Sequence, residues 1–278
     1  MRTLVHLSDL HFGRVDPALL DPLREQVERI APTAVVVSGD LTQRARSEQF
    51  EAARAWLDTL PGPQVIVPGN HDISLYNVFR RFVQPLERYK RYITDDLAPA
   101  YIDDEIAVLG VNTARSLTFK DGRVNEEQIA QIRERLAGLA PEVTRIVVTH
   151  HPFDLPEAAK EEEVVGRAVD AMKAFAQSGV DVLLAGHLHA SHAGSTAERY
   201  PLADFAALVV QAGTATSTRG RGETNSFNVL RVQSSIVEVD RYGWDLVGQR
   251  FQLVSTDKFM RSGNVWTEHI DGMFAAGI

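Results

Sequence analysis

The amino-acid sequence predicts a layered α/β fold, and three observations carry that reading. Across the first two thirds of the chain, short apolar runs alternate with longer amphipathic stretches, the rhythm of β–α units that build a parallel sheet. In the last quarter the helical stretches stop, and strand-like runs follow one another through short polar connections. Side chains able to do chemistry recur at the ends of the apolar runs, where an open α/β sheet places its sites.

In chain order, strands are expected at 3–8, 34–38, 64–67, 106–111, 144–149 and 181–185, and helices at 17–30, 46–60, 125–138 and 165–178. Within 46–60, Phe50, Ala53, Trp56, Leu57 and Leu60 repeat at helical spacing, and Pro61-Gly62-Pro63 stops the run. Asn125 followed three residues later by Gln128 reads as a capping box. Segments 206–211, 226–233, 235–242 and 248–255 are expected to be antiparallel strands that finish a second sheet. With no linker, repeat or low-complexity tract, one domain over 1–256 is the simplest organisation, followed by a C-terminal tail, 257–278, of unassigned role.

The segment 76–93 stands apart. Phe79, Phe82, Val83, Leu86 and Ile93 share one helical face, Arg80, Arg81, Arg88, Lys90 and Arg91 surround it, and Pro85 would kink it. It reads first as a surface helix with a solvated basic face. A lid over the site and a homodimer contact are the functional alternatives, with a membrane-surface role behind them.

Composition narrows the function. The chain has 278 residues, no cysteine, and 29 Lys+Arg against 37 Asp+Glu, a net charge of −8. Disulfides, thiolate nucleophiles, zinc knuckles and iron–sulfur clusters are excluded. No apolar run reaches the roughly 18 residues of a membrane-spanning helix. The first residues enter a strand-like run without a signal-peptide layout, so a cytoplasmic protein is expected. The acidic balance argues against a bulk nucleic-acid binder, which needs an excess of Lys and Arg on one face.

Five predicted strands end in a small or turn-forming residue and then a side chain that binds hard cations. The blocks are Ser8-Asp9-Leu10-His11, Ser38-Gly39-Asp40, Pro68-Gly69-Asn70-His71-Asp72, Thr149-His150-His151-Pro152 and Gly186-His187-Leu188-His189. Each alone could be an ordinary turn. Together they take six of the nine histidines, and five strand ends at one sheet edge would converge on a single crevice.

These blocks, in this order, resemble those of the calcineurin-like metallophosphoesterases. Ser8-Asp9-Leu10-His11-Phe12-Gly13, Gly39-Asp40-Leu41-Thr42-Gln43 and Gly122-Arg123-Val124-Asn125 are similar to the bacterial class III cyclic-nucleotide phosphodiesterase branch. The resemblance implies a four-layer αββα sandwich of two mixed sheets. It implies two divalent metal ions, the first held by Asp9, His11, Asp40 and His189, the second by Asp40, Asn70, His150 and His187, with Asp40 bridging. His150 rather than His151 is the ligand because the family's histidine directly follows its strand, and His71 matches the family's catalytic histidine. Many members read Gly-Asp-x-x-Asp/Asn where this chain has Gln43, a position that supports the site without ligating. Mn or Fe is favoured by analogy, and the all-N/O donor set also suits Zn, Co or Ni. The metals would lower the pKa of a bridging water and clamp the phosphate oxygens.

The resemblance further implies a small phosphoester substrate, with 3′,5′-cyclic nucleotides such as cAMP as the family-level expectation. A glycerophosphodiester, a phosphonate monoester, a nucleotide-lipid pyrophosphate and a phosphomonoester are alternatives. A non-catalytic scaffold on the same fold is disfavoured, because all seven ligand positions and His71 are filled. Arg14, Arg44, Arg46, His192, Arg219 and Arg221 are substrate-contact candidates whose first reading is solvated loop residues. The stretch from Asn225 to Asn228 opens a late strand that could face the site.

Overall fold

The computed structural model describes residues 1–74, 83–115, 122–155, 164–219 and 222–269. The first sheet contains β1 (Arg2–Leu7), β2 (Ala34–Ser38), β3 (Gln64–Val67), β10 (Ser226–Gln233), β11 (Ile236–Asp245), β12 (Arg250–Ser262) and β13 (Val265–Glu268). Its order is β13-β12-β11-β10-β1-β2-β3, with β1, β2 and β3 parallel and the rest antiparallel. The second sheet contains β4 (Ala100–Ile102), β5 (Ile106–Gly110), β6 (Thr144–Val148), β7 (Val182–Ala185), β8 (His192–Ser195) and β9 (Leu208–Gln211), in the order β4-β5-β6-β7-β9-β8. Here β5, β6, β7 and β9 run parallel, flanked by antiparallel β4 and β8.

Two expectations about the late strands are corrected. β10 to β13 do not finish a second sheet; they extend the first, with β10 laid antiparallel on β1 in the register Val5↔Val229. The first strand has β2 on one side only, so its other edge was open for a strand from the far end of the chain. β9 does join the second sheet, but parallel to β7 with Ala185↔Gln211. The long connection between β7 and β9, which holds β8, is the crossover a parallel neighbour requires.

Helices α1 (Pro17–Ile30), α2 (Ser47–Leu57) and α3 (Glu87–Tyr92) lie on the first sheet, and α4 (Glu126–Leu136) and α5 (Ala168–Ser178) on the second. Successive strand residues point to opposite faces, and both faces are covered. In β2, Val35 and Val37 face the helices while Ala34 and Val36 face the other sheet. In β6 and β7, Val147 and Leu183 face α4 and α5, and Ile146, Val148, Val182 and Leu184 meet the first sheet. Three apolar layers therefore separate four layers of structure, the αββα sandwich. This explains why the strands read as unbroken apolar runs.

The helix ends follow their sequence signals. Asp16 accepts from the Ala18 amide at 3.0 Å and Pro17 opens α1. At α4, Asn125 Oδ1 accepts from the Gln128 amide at 2.8 Å and Gln128 Oε1 accepts from the Asn125 amide at 3.0 Å, the reciprocal pair expected. Asn125→Ala is expected to lower stability by about 1 kcal/mol, checked by urea unfolding. An unchanged midpoint would mean the box adds nothing.

Of the segment 76–93, residues 76–82 lie outside the described residues. The remainder turns at Pro85 and forms α3, whose Tyr89 is fully buried and donates to the Ile66 carbonyl at 2.9 Å. Arg88 donates to the Ala45 carbonyl at 2.6 Å, so this part of the basic face is tied to the loop before α2. Residue 256 falls inside β12. β13 pairs with β12, and Trp266 is buried with its indole donating to Asp181 at 3.1 Å. Residues 270–278 are not described.

Candidate metal centre

The five blocks follow β1, β2, β3, β6 and β7. They do not come from one sheet edge: three leave the first sheet and two the second. The two sheets present the carboxyl ends of their parallel strands to the same rim of the sandwich, and cross-sheet hydrogen bonds fix the junction. The His187 amide donates to Asp9 Oδ2 at 3.0 Å, and His150 Nδ1 donates to the Ser38 carbonyl at 2.7 Å.

The backbone there is unusual. Among the described residues ten non-glycine residues have positive φ, and five of them are Asp9 (54°), His11 (49°), Asp40 (53°), His187 (73°) and His189 (58°). Each such residue costs on the order of 1–3 kcal/mol and persists where its surroundings over-determine it. The surroundings are visible: the Asp9 amide donates to the Gly39 carbonyl at 3.1 Å and the His11 amide to the Asp40 carbonyl at 2.9 Å. Two glycines make the approach possible. A Cβ on Gly69 would stand 2.1 Å from Asp40 Oδ1, and one on Gly186 would stand 1.8 Å from Ser8 Oγ and 2.8 Å from Asp9 Oδ2.

The donor atoms converge in two groups around one carboxylate. In the first, His11 Nε2 lies 3.5 Å from Asp9 Oδ1 and 3.7 Å from Asp40 Oδ2, and His189 Nε2 lies 3.7 Å from Asp9 Oδ1. In the second, His150 Nε2 lies 3.4 Å from Asp40 Oδ1 and 3.0 Å from Asn70 Oδ1, and His187 Nδ1 lies 3.1 Å from Asn70 Oδ1. Two donors each about 2.1 Å from a common cation would stand about 3.0 Å apart at a right angle and about 3.4 Å apart at the tetrahedral angle. The spacings are those of ligand sets. Asp9, His11 and His150 are fully buried, and Asp9 Oδ1 and His11 Nε2 have no hydrogen-bond partner. Buried polar atoms without partners are costly, so this donor set fits a bound cation. His150, His151 and His187 also come close enough to hold an ion, while His151 Nδ1 is 2.8 Å from Thr113 Oγ1.

Around this cluster a second set of groups orients the donors. Donation from Nδ1 to the Ser38 carbonyl leaves Nε2 of His150 as the lone-pair nitrogen. His189 Nδ1 meets Thr214 Oγ1 at 2.5 Å. Ser8 donates to Asp9 Oδ2 at 2.7 Å, and the His71 amide to Asp40 Oδ1 at 2.8 Å. Asp72 accepts from the Gly69, Leu41 and Thr42 amides at 2.9, 3.1 and 2.9 Å, stitching the loop after β2 to the turn after β3.

Charge follows geometry. Burial opposes ionisation of Asp40, yet His150 and His11 hold its carboxyl well below the usual range; His189 and His11 do the same for Asp9 against its own burial. Burial also opposes protonation of His150, but Asp40 beside it pushes its pKa up to about 9. A bound cation supplies the positive charge that this proton otherwise brings. Burial, reinforced by His150, lowers His187 to about 3, and burial alone is the main cause at His71 and His189, both lowered. Asp72 is raised to about 6 by burial and by Asp40.

His71 stands beside the cluster, its ring 5.0 Å from that of His11. Its Nδ1 donates to the Gln43 carbonyl at 2.8 Å, and Nε2 accepts from Arg219 Nη1 at 2.9 Å. Arg219 thus reaches the site, whereas Arg221 lies outside the described residues. His192 opens β8 opposite Gln211, and among the described residues no hydrogen bond or ion pair joins it to the cluster. Asn225 donates to the Ser217 carbonyl at 2.9 Å and Asn228 to the Gln211 carbonyl at 2.9 Å, so both brace the strand ends behind the site. Thr214 was missed by sequence reasoning. It sits in an Ala-Gly-Thr-Ala-Thr run with no chemical signature.

A family model described as calcineurin-like phosphoesterase matches residues 2–191. The chain belongs to the calcineurin-like phosphoesterase family. The family implies divalent metal ions at the clustered His and Asp residues. A glycerophosphodiester phosphodiesterase GpdQ of Enterobacter lignolyticus is 28% identical over 178 residues, 56% of this chain and 59% of that protein. A probable glycerophosphodiester phosphodiesterase GpdQ of Arcobacter nitrofigilis is 26% identical over 123 residues, 44% of this chain and 42% of its own length. The match thus spans about half of each curated relative. In fold, the chain is similar to the purple acid phosphatase PPD1 of yellow lupin, with a TM-score of 0.71 at 14% identity, covering 94% of this chain and 54% of that one. It is likewise similar to a dimetal phosphatase of Danio rerio, with a TM-score of 0.63 at 13% identity, covering 91% and 98%. Among the described residues no helix is long and apolar enough to cross a membrane.

Proposed function

We propose that this chain is a binuclear metal-dependent phosphodiesterase acting on glycerophosphodiesters. The observation that carries the two-metal part is the position of Asp40, whose two oxygens face different donor groups, Oδ2 toward His11 and Oδ1 toward His150. Asp9, His11, Asp40 and His189 would hold one cation and Asp40, Asn70, His150 and His187 the other. The all-N/O donors suit first-row divalent ions, with Mn or Fe favoured by the sequence resemblance. Bound there, the cations supply Lewis acidity toward the phosphate and lower the pKa of water to make a nucleophile near neutral pH.

The chain's own groups do the rest. The Ser38 carbonyl and Thr214 hold the His150 and His189 rings at one orientation. His71 presents Nε2 beside the cluster; to donate to the departing oxygen this nitrogen would have to take up a proton while Arg219 turns from it to the phosphate. Arg219, whose guanidinium holds that nitrogen, offers N–H groups and positive charge to a phosphate oxygen. The glycerophosphodiester reading is preferred to the cyclic-nucleotide expectation because both curated relatives carry that substrate in their names.

The test is a panel on metal-stripped, Mn²⁺-reconstituted protein, comparing kcat/KM for glycerophosphoglycerol, 3′,5′-cAMP and an aryl phosphomonoester. Glycerophosphoglycerol is expected to lead cAMP by at least tenfold, about 1.4 kcal/mol in barrier. A faster cAMP reaction would return the substrate to the cyclic nucleotides. Turnover of the monoester alone would overturn the phosphodiesterase reading.

A further inference from the structure

A cavity of about 400 Å³ opens beside the metal centre, lined by Gly13, Arg14, Gln43, Arg44, Arg46 and Gln49. We infer that it binds a terminal phosphate on one arm of the diester, so that the preferred substrates are glycerophosphodiesters carrying a second phosphate. The inference rests on the phosphodiesterase reading and narrows it.

Three arginines around one cavity are notable on a chain whose net charge is −8. The guanidinium fork matches phosphate oxygens in pairs. The cavity is shaped by specific contacts. Gln49 Oε1 accepts from the Arg44 amide at 2.9 Å and the Arg46 amide at 3.4 Å, holding the arginine-bearing loop in a curve. Gly13, at φ +100°, lets Gln49 approach to where a Cβ would be 2.1 Å from Nε2. Among the described residues Arg46 has one carboxylate close by, Glu48 at 3.8 Å, and both side chains are more than half exposed, a pairing that water and salt weaken.

The cavity shares a wall with the metal centre. Gln43 lines it, while its carbonyl accepts from His71 Nδ1. The Thr218 amide donates to the Arg14 carbonyl at 3.0 Å, so the loop that delivers Arg219 to His71 is anchored on a cavity residue. A choline or ethanolamine arm would bring a cation against three arginines. A cyclic nucleotide has no second phosphate to offer.

The experiment compares glycerophosphoglycerol with the same diester phosphorylated on its terminal hydroxyl, using the full-length Mn²⁺-loaded enzyme. The phosphorylated diester is expected to have at least tenfold higher kcat/KM, and the Arg14→Gln/Arg46→Gln variant is expected to bring the ratio near one. Cleavage of both diesters at equal rates by the wild type would overturn the inference and leave the phosphodiesterase reading standing. If neither diester is cleaved, the phosphodiesterase reading fails, and calorimetry decides the cavity by itself. Glycerol 3-phosphate should bind the full chain without added metal, and at least tenfold more weakly in the double variant. Equal binding to both proteins would overturn the inference.

Discussion

Asp40→Asn is expected to remove both metals from their tight sites and to lower kcat/KM on an aryl phosphodiester by about 10³-fold or more, about 4 kcal/mol in barrier. The substitution isolates charge from shape. The amide fills the space of the carboxylate and can still accept from the His71 backbone amide, which Asp40 Oδ1 does now at 2.8 Å. It cannot serve two cations, because only one of its two terminal atoms has lone pairs to give. One site loses its oxygen donor and the other keeps only a neutral oxygen where the charge stood, so loss at both is expected from one change, while a change at Asn70, which faces His150 and His187, should empty one site. Elemental analysis after gel filtration reads the stoichiometry, and thermal unfolding in chelator checks that the variant folds. Two tightly bound metals per chain in Asp40→Asn would sink the shared-ligand arrangement.

Much of this was legible in the residues. β1, β2, β3, β5, β6 and β7 and the helices α1, α2, α4 and α5 stand close to where apolar periodicity placed them, because these strands are buried on both faces and these helices carry one clean apolar stripe, whereas the short edge strand β4, exposed at Ala100 and Ile102, was not anticipated. The Asn125–Gln128 box closed as spelled. The blocks were legible for a different reason: an Asp, Asn or His directly after a strand and a small residue has few structural uses, and five of them in order leave fewer still.

What escaped was long-range. Nothing local in Val229 says that it will lie beside Val5, so the strands from β10 onward were assigned to the wrong sheet. The same limit hid the origin of the site in both sheets, since strand order is a property of topology and not of any one strand. The left-handed backbone at Asp9, His11, Asp40, His187 and His189 also leaves no mark in the sequence. Asp and His tolerate that conformation better than most residues, but only the surrounding hydrogen bonds impose it. Thr214 has no signature because any hydroxyl near the His189 ring could do its work. Gln43 was visible as a departure from Asp or Asn, and the structure gives its longer side chain a place, on the wall between His71 and the arginine cavity.

His71→Ala is expected to behave in the opposite way to Asp40→Asn: metal content stays at the wild-type value while kcat falls by about 10²- to 10⁴-fold, the usual loss for a group that handles a proton in the transition state. The geometry separates it from two proposed ligands, Asn70 beside it in the chain and His11 beside it in space. The two donor groups are built without it. Its Nδ1 is committed to the Gln43 carbonyl, and its Nε2 is held by Arg219, a cation that would repel a metal bound at the same atom. The backbone amide of residue 71, which supports Asp40, survives the truncation, so the shared carboxylate keeps its partner. The loss should also depend on the leaving group. A p-nitrophenolate departs without help from a proton donor, whereas a glycerol alkoxide needs one, so the variant should lose more on glycerophosphoglycerol than on an aryl diester. An equal loss on both would assign His71 to holding the phosphate and not to the departing oxygen. Loss of metal from the variant would make it a ligand and undo the assignment of Asn70 as the donor from that turn.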